Sequence, residues 1–235
     1  MRILAFETSA KAASVALLEE DRLVGEYYQN SGQTHSRTLL KMAEDLLENC
    51  SVDVKDVTAV ACAAGPGSFT GVRIGVAAAK GFAWGRELPC VGVSTLEAMA
   101  YQALDFEGLI CCAMDARRQQ IYHALFDCHG GKLTRLTEDC AISMEELKKE
   151  LEKYEKTKIT VGDGAQLCYN TIGKSMPGFL CAPEHLRMQR ASGVALAARN
   201  LLLTGEKFDG ARLVPNYLRL SQAERERMQR MEGAK

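Results

Sequence analysis

Gly65-Pro66-Gly67-Ser68-Phe69-Thr70-Gly71 follows an all-apolar run, Val57 to Ala64, and opens a small-residue run, Val72 to Trp84. The first run reads as a strand covered on both faces, the second as a helix. Three glycines and one proline in seven residues let the backbone turn tightly and aim its N–H groups outward, where the positive end of the helix adds its field. The junction is built to hold a phosphate or a close partner, and a plain strand-to-helix turn reads equally well. It is not a P-loop, because no Gly-Lys-Ser/Thr follows and Lys80 lies well inside the helix.

Working outward, Arg2 to Ser9, Ala13 to Glu19 and Leu23 to Gln29 read as a three-strand meander with turns at Ala10-Lys11 and Glu20-Asp21-Arg22. Thr34 to Cys50 places Leu39, Leu40, Met42, Ala43, Leu46 and Leu47 at helical spacing opposite Arg37, Lys41, Glu44, Asp45 and Glu48, with Thr34 or Ser36 as N-cap. Cys90 to Val93 reads as another strand, and Ser94 caps a helix through Leu104. This order predicts an α/β, ribonuclease-H-like lobe over residues 1–105. A second, shortened lobe over 106–235 follows. It has strands at Leu109 to Met114, Gln120 to Asp127, Lys132 to Leu136 and Ile159 to Gly162, and helices at Ser143 to Glu155 and Ala191 to Leu203. The final helices are expected to pack back on the first lobe.

The chain has 235 residues, 47% of them hydrophobic, and formal charge −1. That supports a sizeable core and argues against stand-alone nucleic-acid binding, which needs a basic stripe. An acidic Glu7 interrupts the first apolar run, and no stretch approaches ~18 uncharged apolar residues, so a cytoplasmic protein away from membranes is expected. Nine cysteines are scattered without a C-x-x-C pair and read as buried small hydrophobes. His35, His123, His129 and His185 form no metal-ligand pair, so no metal site is expected.

Ile3-Leu4-Ala5-Phe6-Glu7-Thr8-Ser9, Gln33-Thr34-His35-Ser36, the Gly65 to Gly75 stretch, Lys80-Gly81 and Gly92-Val93-Ser94-Thr95-Leu96 together resemble the TsaB family, formerly YeaZ. The likeness is dense over residues 1–100 and continues more thinly through Gly162-Asp163-Gly164-Ala165 and Val214-Pro215-Asn216-Tyr217-Leu218-Arg219. It implies two lobes of the actin, Hsp70 and sugar-kinase superfamily and a part in making threonylcarbamoyladenosine beside the tRNA anticodon. It also implies partners: a catalytic paralogue of the TsaD type and an ATPase of the TsaE type. A homodimer is expected of the isolated chain.

TsaD proteins carry two metal-binding histidines four apart after the second apolar strand. Here those positions fall on Thr95 and Met99, and a hydroxyl with a thioether cannot replace imidazoles for a hard or borderline metal. Glu97 reads as a surface carboxylate. The expectation is a non-catalytic subunit that binds no cofactor alone, with ATP or ADP at most at the complex interface. Glu7, Thr8, Ser9, Gly65, Gly67, Ser68 and Gly71 are the candidate vestigial nucleotide contacts. Two alternatives remain beside this reading. A small ATPase or acyl-phosphate kinase needs a second phosphate loop, for which the second half offers only the turn at Asp163. A glycoprotease-type peptidase needs Ser36 or Ser68 to recruit a histidine, without any nucleophile elbow.

For the partner surface, Leu39, Leu40, Ala43 and Leu47 on the first helix and Gly75, Ala78 and Ala79 on the second are the candidates, the small residues permitting close helix approach. Contact with tRNA is expected to be indirect, because Glu224 and Glu226 interleave with the arginines of the tail, Arg219 to Arg230.

Overall fold

The computed structural model describes residues 1–117 and 119–219. Strands β1 (Arg2–Glu7), β2 (Ala13–Glu19) and β3 (Arg22–Gln29) form the expected meander. Helix α1 (His35–Asn49), strand β4 (Ala59–Gly65), helix α2 (Phe69–Trp84), strand β5 (Cys90–Ser94) and helix α3 (Thr95–Tyr101) follow. The sheet order is β3-β2-β1-β4-β5, with β1 and β4 parallel and β1 and β2 antiparallel.

The second half repeats this plan. Strands β6 (Gly108–Asp115), β7 (Gln120–His129), β8 (Lys132–Arg135) and β9 (Cys140–Ser143) precede helix α4 (Met144–Leu151). Strand β10 (Lys158–Val161), helix α5 (Ala165–Thr171), strand β11 (Phe179–Cys181), and helices α6 (Glu184–Arg187) and α7 (Ala191–Leu203) complete it. Its order β8-β7-β6-β10-β11 matches the first sheet strand for strand, and β9 adds a pairing with β7. The β6–β7 hairpin is therefore the counterpart of the β1–β2 hairpin, and the turn after β10 that of the glycine turn after β4. The sequence reading looked for a second phosphate loop only in the latter; topology puts the partner of the Glu7 turn at Asp115 to Gln120.

The strands β1, β2 and β4 are largely apolar and buried on both faces, whereas edge strand β3 is partly exposed. Leu4, Phe6, Val15, Leu17 and Val60 pack under α1 and α2, while Ile3, Ala5, Ala16, Ala61 and Ala63 face α7. That second face is built from alanines on both sides, including Ala195 and Ala198, so helix and sheet approach closely. Meanwhile α3 lays Leu96, Met99 and Ala100 on Ile110, Cys112 and Phe126 of the second sheet. The helices after the two last strands are thus exchanged: α3 serves the second sheet and α7 the first. They cross where Gly193 sits against the carbonyl of Ala98, too close for a side chain.

Some boundaries differ from expectation. The first strand ends at Glu7, before Thr8 and Ser9. Helix α3 stops at Tyr101 instead of Leu104. The helix expected from Ser143 to Glu155 is shorter, and Ser143 is its N-cap, its hydroxyl accepting from the Glu146 amide while Glu146 accepts from the Ser143 amide. Elements β9, β11 and α6 have no expected counterpart, because runs of three or four residues carry too few periods of hydrophobicity to register. The tail beyond Arg219 and residue Arg118 lie outside the described residues. All nine cysteines are free, most of them buried.

A polar clamp fixes α3 to the second sheet. The Arg135 guanidinium donates to Glu97 at 2.9 Å and to Asp139 at 2.7 Å, lies 4.7 Å over the Phe126 ring, and Asp139 in turn accepts from Ser94 at 2.6 Å. Glu97 is therefore one member of a half-buried pair and no lone surface carboxylate. Removing the cation leaves two half-buried carboxylates facing each other, so Arg135→Ala is expected to lower stability by about 1–3 kcal/mol. Urea denaturation checks this; a loss below about 0.5 kcal/mol would show the clamp to be ornamental.

Candidate functional site at the cleft between the sheets

The carboxyl ends of β1 and β4 diverge at the centre of the first sheet, the switch point where sheets of this kind take ligands. A cavity of about 380 Å³ opens there, lined by Ser9, Lys11, Gly67, Ser68, Thr70, Asp115, Arg117, Asp163, Tyr217 and Arg219, among others. Of the candidate nucleotide contacts, Ser9, Gly67 and Ser68 line it, while Glu7, Thr8, Gly65 and Gly71 do not. The structure also shows what they touch.

Ser68 caps α2, its hydroxyl accepting from the Gly71 amide at 3.2 Å. The Ser68 amide donates to the Ser9 carbonyl at 2.6 Å. Gly67, at φ 158°, packs against the same Ser9 backbone, Gly71 against the Thr8 carbonyl, and Gly75 against the Thr8 hydroxyl. That hydroxyl donates to the Gly71 carbonyl at 2.8 Å. Gly65, at φ 121°, faces the Asn216 carbonyl. Each glycine of the motif therefore serves a close approach by this chain's own backbone. Amides at Ser68 and Gly71 are occupied by protein oxygens and are not held ready for a phosphate.

The small-residue stripe of α2 is accordingly turned inward. Gly75 and Ala79 are buried against the first lobe, and Ala78 is half-buried. Leu39, Ala43 and Leu47 of α1 lie in the same core, whereas Leu40 is 59% exposed. Of the candidate partner residues, Leu40 is the one whose side chain is free on the surface, near exposed Val54.

Below the cavity lies a buried carboxyl. Glu7 accepts from the Ser9 amide at 2.6 Å through one oxygen, while its other oxygen and the Ser9 hydroxyl have no partner among the described residues. Burial, the largest cause, lifts the Glu7 pKa from 4.5 to about 7, with Asp163 adding repulsion. Asp163 is itself pushed upward by burial, although Gln189 donates to it at 3.0 Å. Gln189 and Asp115 carry no local pattern that marks them as site residues, and the family-like stretch Val214 to Arg219 does not show that Asn216 and Arg219 reach the cleft; all four meet the site only through folding.

Among the described residues, no histidine is hydrogen-bonded to a serine hydroxyl. His35 is bound to the Ala10 carbonyl at 2.8 Å, Ser68 is engaged as a cap, and His123 is buried beside Cys111. Thr95 and Met99 are both buried, the methionine within the core between α3 and the second sheet. Among the described residues, no three His, Cys, Asp or Glu side chains converge as ligands, and no helix is long and apolar enough to cross a membrane.

A duplicated mixed sheet with exchanged covering helices and a cleft at the paired hairpins is the actin, Hsp70 and sugar-kinase class of fold. At the level of fold alone, component A of the (R)-2-hydroxyglutaryl-CoA dehydratase of Acidaminococcus fermentans is similar, with TM-score 0.52 and 12% identity over 86% of this chain and 99% of that one. The family model for TsaD, tRNA N6-adenosine threonylcarbamoyltransferase, matches residues 27–227. The tRNA threonylcarbamoyladenosine biosynthesis protein TsaB of Bacillus subtilis is 34% identical over 227 residues, 95% of this chain and 96% of that protein. A Pseudomonas aeruginosa crystal structure, of a protein with similarity to peptidase YeaZ, superposes with TM-score 0.80 at 28% identity, covering 93% of this chain and 99% of that one. The chain belongs to the TsaB family, as the motifs of its first hundred residues indicated.

The glycine contacts make a paired prediction. Gly71→Ala would drive a methyl into the Thr8 carbonyl and should destabilise by about 1–3 kcal/mol. Gly81→Ala, in open space on the same helix, should stabilise by up to about 1 kcal/mol. Thermal melts of the two variants distinguish close approach from general helix propensity; equal shifts would contradict the contact.

Glu7 sets a second one. Between pH 4.5 and about 7 the unfolded chain has lost the Glu7 proton and the native chain keeps it, so stability falls as pH rises through that window and is level above it. At about 1.4 kcal/mol per pH unit, the loss is on the order of 3 kcal/mol. Glu7→Gln should remove that part of the decline, as read by denaturation midpoints of both proteins across the window; parallel curves would show that Glu7 ionises normally in the fold.

Proposed function

We propose that this chain is the non-catalytic subunit of a tRNA threonylcarbamoyl transferase complex, supporting a TsaD-type subunit in forming threonylcarbamoyladenosine next to the tRNA anticodon. The observation that carries the reading is the burial of Thr95 and Met99 at the positions where the catalytic paralogue holds its metal. Neither side chain faces the cleft as a ligand, and neither has the chemistry of one. The glycine turn points the same way, because its amides at Ser68 and Gly71 bond to protein oxygens. Both alternatives lose support from these contacts. A kinase would need those amides for phosphate, and a peptidase would need the Ser68 hydroxyl beside a base.

The partner face in this reading is the outer surface of α1, centred on Leu40, with a TsaE-type ATPase joining the assembly and tRNA contacted through the complex. In isolation the same face would hold a homodimer. Leu40→Glu should weaken association with the catalytic paralogue at least tenfold, or about 1.4 kcal/mol, while circular dichroism stays native, since the side chain is largely in water in the monomer. Leu47→Glu is a poor probe of the interface, because it buries a charge in the core. The decisive experiment is reconstitution. The purified chain alone should neither hydrolyse ATP nor transfer the threonylcarbamoyl group, and adding it to the TsaD-type and TsaE-type subunits should enable transfer to tRNA. Turnover by the chain alone, or full activity of the other subunits without it, would refute the proposal.

A further inference from the structure

After α7 the chain returns to the cleft and crosses its mouth. Leu213 is buried in the first core over Gly92, and its carbonyl accepts from Lys80 at 3.1 Å. The Asn216 amide donates to the Ala64 carbonyl at 2.6 Å, which places the Asn216 carbonyl over Gly65. Tyr217 stacks on Phe69 with ring centres 4.6 Å apart, and its hydroxyl accepts from Arg73 at 2.8 Å, with the Arg73 guanidinium 3.9 Å over Phe69. Arg219 then reaches the other lobe, donating to the carbonyl of Ala116 in the β6–β7 turn at 2.6 Å. One short segment therefore touches the glycine turn, the first turn of α2 and the opposing hairpin.

We infer that Leu213 to Arg219 is a built-in strap that ties the two lobes across the cleft and occupies the Gly65 end of the glycine turn, leaving the cavity beside Gly67 and Ser68 open. At the Gly65 end its chemistry disfavours an anion, while Lys11, Arg117 and Arg219 line the cavity beyond. A phosphate at the end of β4 needs donors, and the strap presents the Asn216 carbonyl oxygen there instead. Its placement suits rigidity: Tyr217 is anchored on the first lobe and Arg219 on the second, so the lobes cannot part without breaking one of the two attachments. This deepens the scaffold reading and rests on it, since a subunit whose lobes are tied together by its own chain presents a constant surface to its partners without waiting for nucleotide.

Amide hydrogen exchange on the full chain, followed by NMR, tests the strap. In Arg219→Gln and in Tyr217→Leu, the amides of Ala116 and Gln120 should exchange about tenfold faster than in the wild type, while those inside β4 and β6 keep their protection. ATP at millimolar concentration should leave wild-type exchange at Glu7 to Ala12 unchanged. Unchanged exchange at Ala116 and Gln120 in both variants would overturn the strap, as would a slowing of wild-type exchange by ATP. If Tyr217→Leu loosens the whole first lobe, Arg219→Gln decides alone, because it removes a single contact at the far end. Failure of the wild type in the reconstituted transfer reaction would count against the proposed function and leave the exchange result standing.

Discussion

The turn Thr8-Ser9 pressed into the glycine face of α2 is the contact on which the rest of the molecule depends. Gly67, Gly71 and Gly75 leave no side chain between helix and turn, and the Thr8 hydroxyl and Ser9 carbonyl convert that proximity into hydrogen bonds. The helix is thereby fixed over the carboxyl ends of β1 and β4. Everything at the cleft is then positioned from there: the cap at Ser68, the carboxyl of Glu7 beneath it, and Phe69 as a seat for Tyr217. A Gly-rich turn before a helix is commonly a cradle for phosphate. Here the same geometry is satisfied from within the chain.

That internal satisfaction has an electrostatic counterpart. A nucleotide site of this fold would keep its acidic residue ionised to hold a cation against phosphate. Burial holds Glu7 half-neutral near pH 7, and Asp163 across the cleft is pushed the same way. Beside these carboxyls the Ser68 and Gly71 amides bond to protein oxygens, so the glycine turn is satisfied within the chain.

The exchange of α3 and α7 between the sheets gives the two lobes a shared core. Alanine-on-alanine packing under α7 and the Arg135 clamp at α3 tie each sheet to a helix that begins in the other half of the chain's plan. Such a frame buries faces of both helices, while α1 keeps an exposed outer surface. On that surface Leu40 stands out, while its helical neighbours Leu39, Ala43 and Leu47 face inward. A stripe of apolar residues at helical spacing shows that a helix has a buried side; it does not show whether own sheet or partner covers it.

The amino-acid order by itself determined the meander, the helices α1, α2 and α7, the cap at Ser94 and the family, because long periodic runs and dense motifs are local signals. The shortness of β9, β11 and α6 hid them. Only the tertiary structure decided that the glycines serve Thr8, Ser9 and Asn216, that Asp115 to Gln120 is the true mate of the Glu7 turn, and that Arg219 reaches Ala116. These contacts join residues separated by most of the chain. Their energy comes from desolvated backbone groups meeting at close range, and no pattern along a sequence records which distant oxygen will meet a given amide.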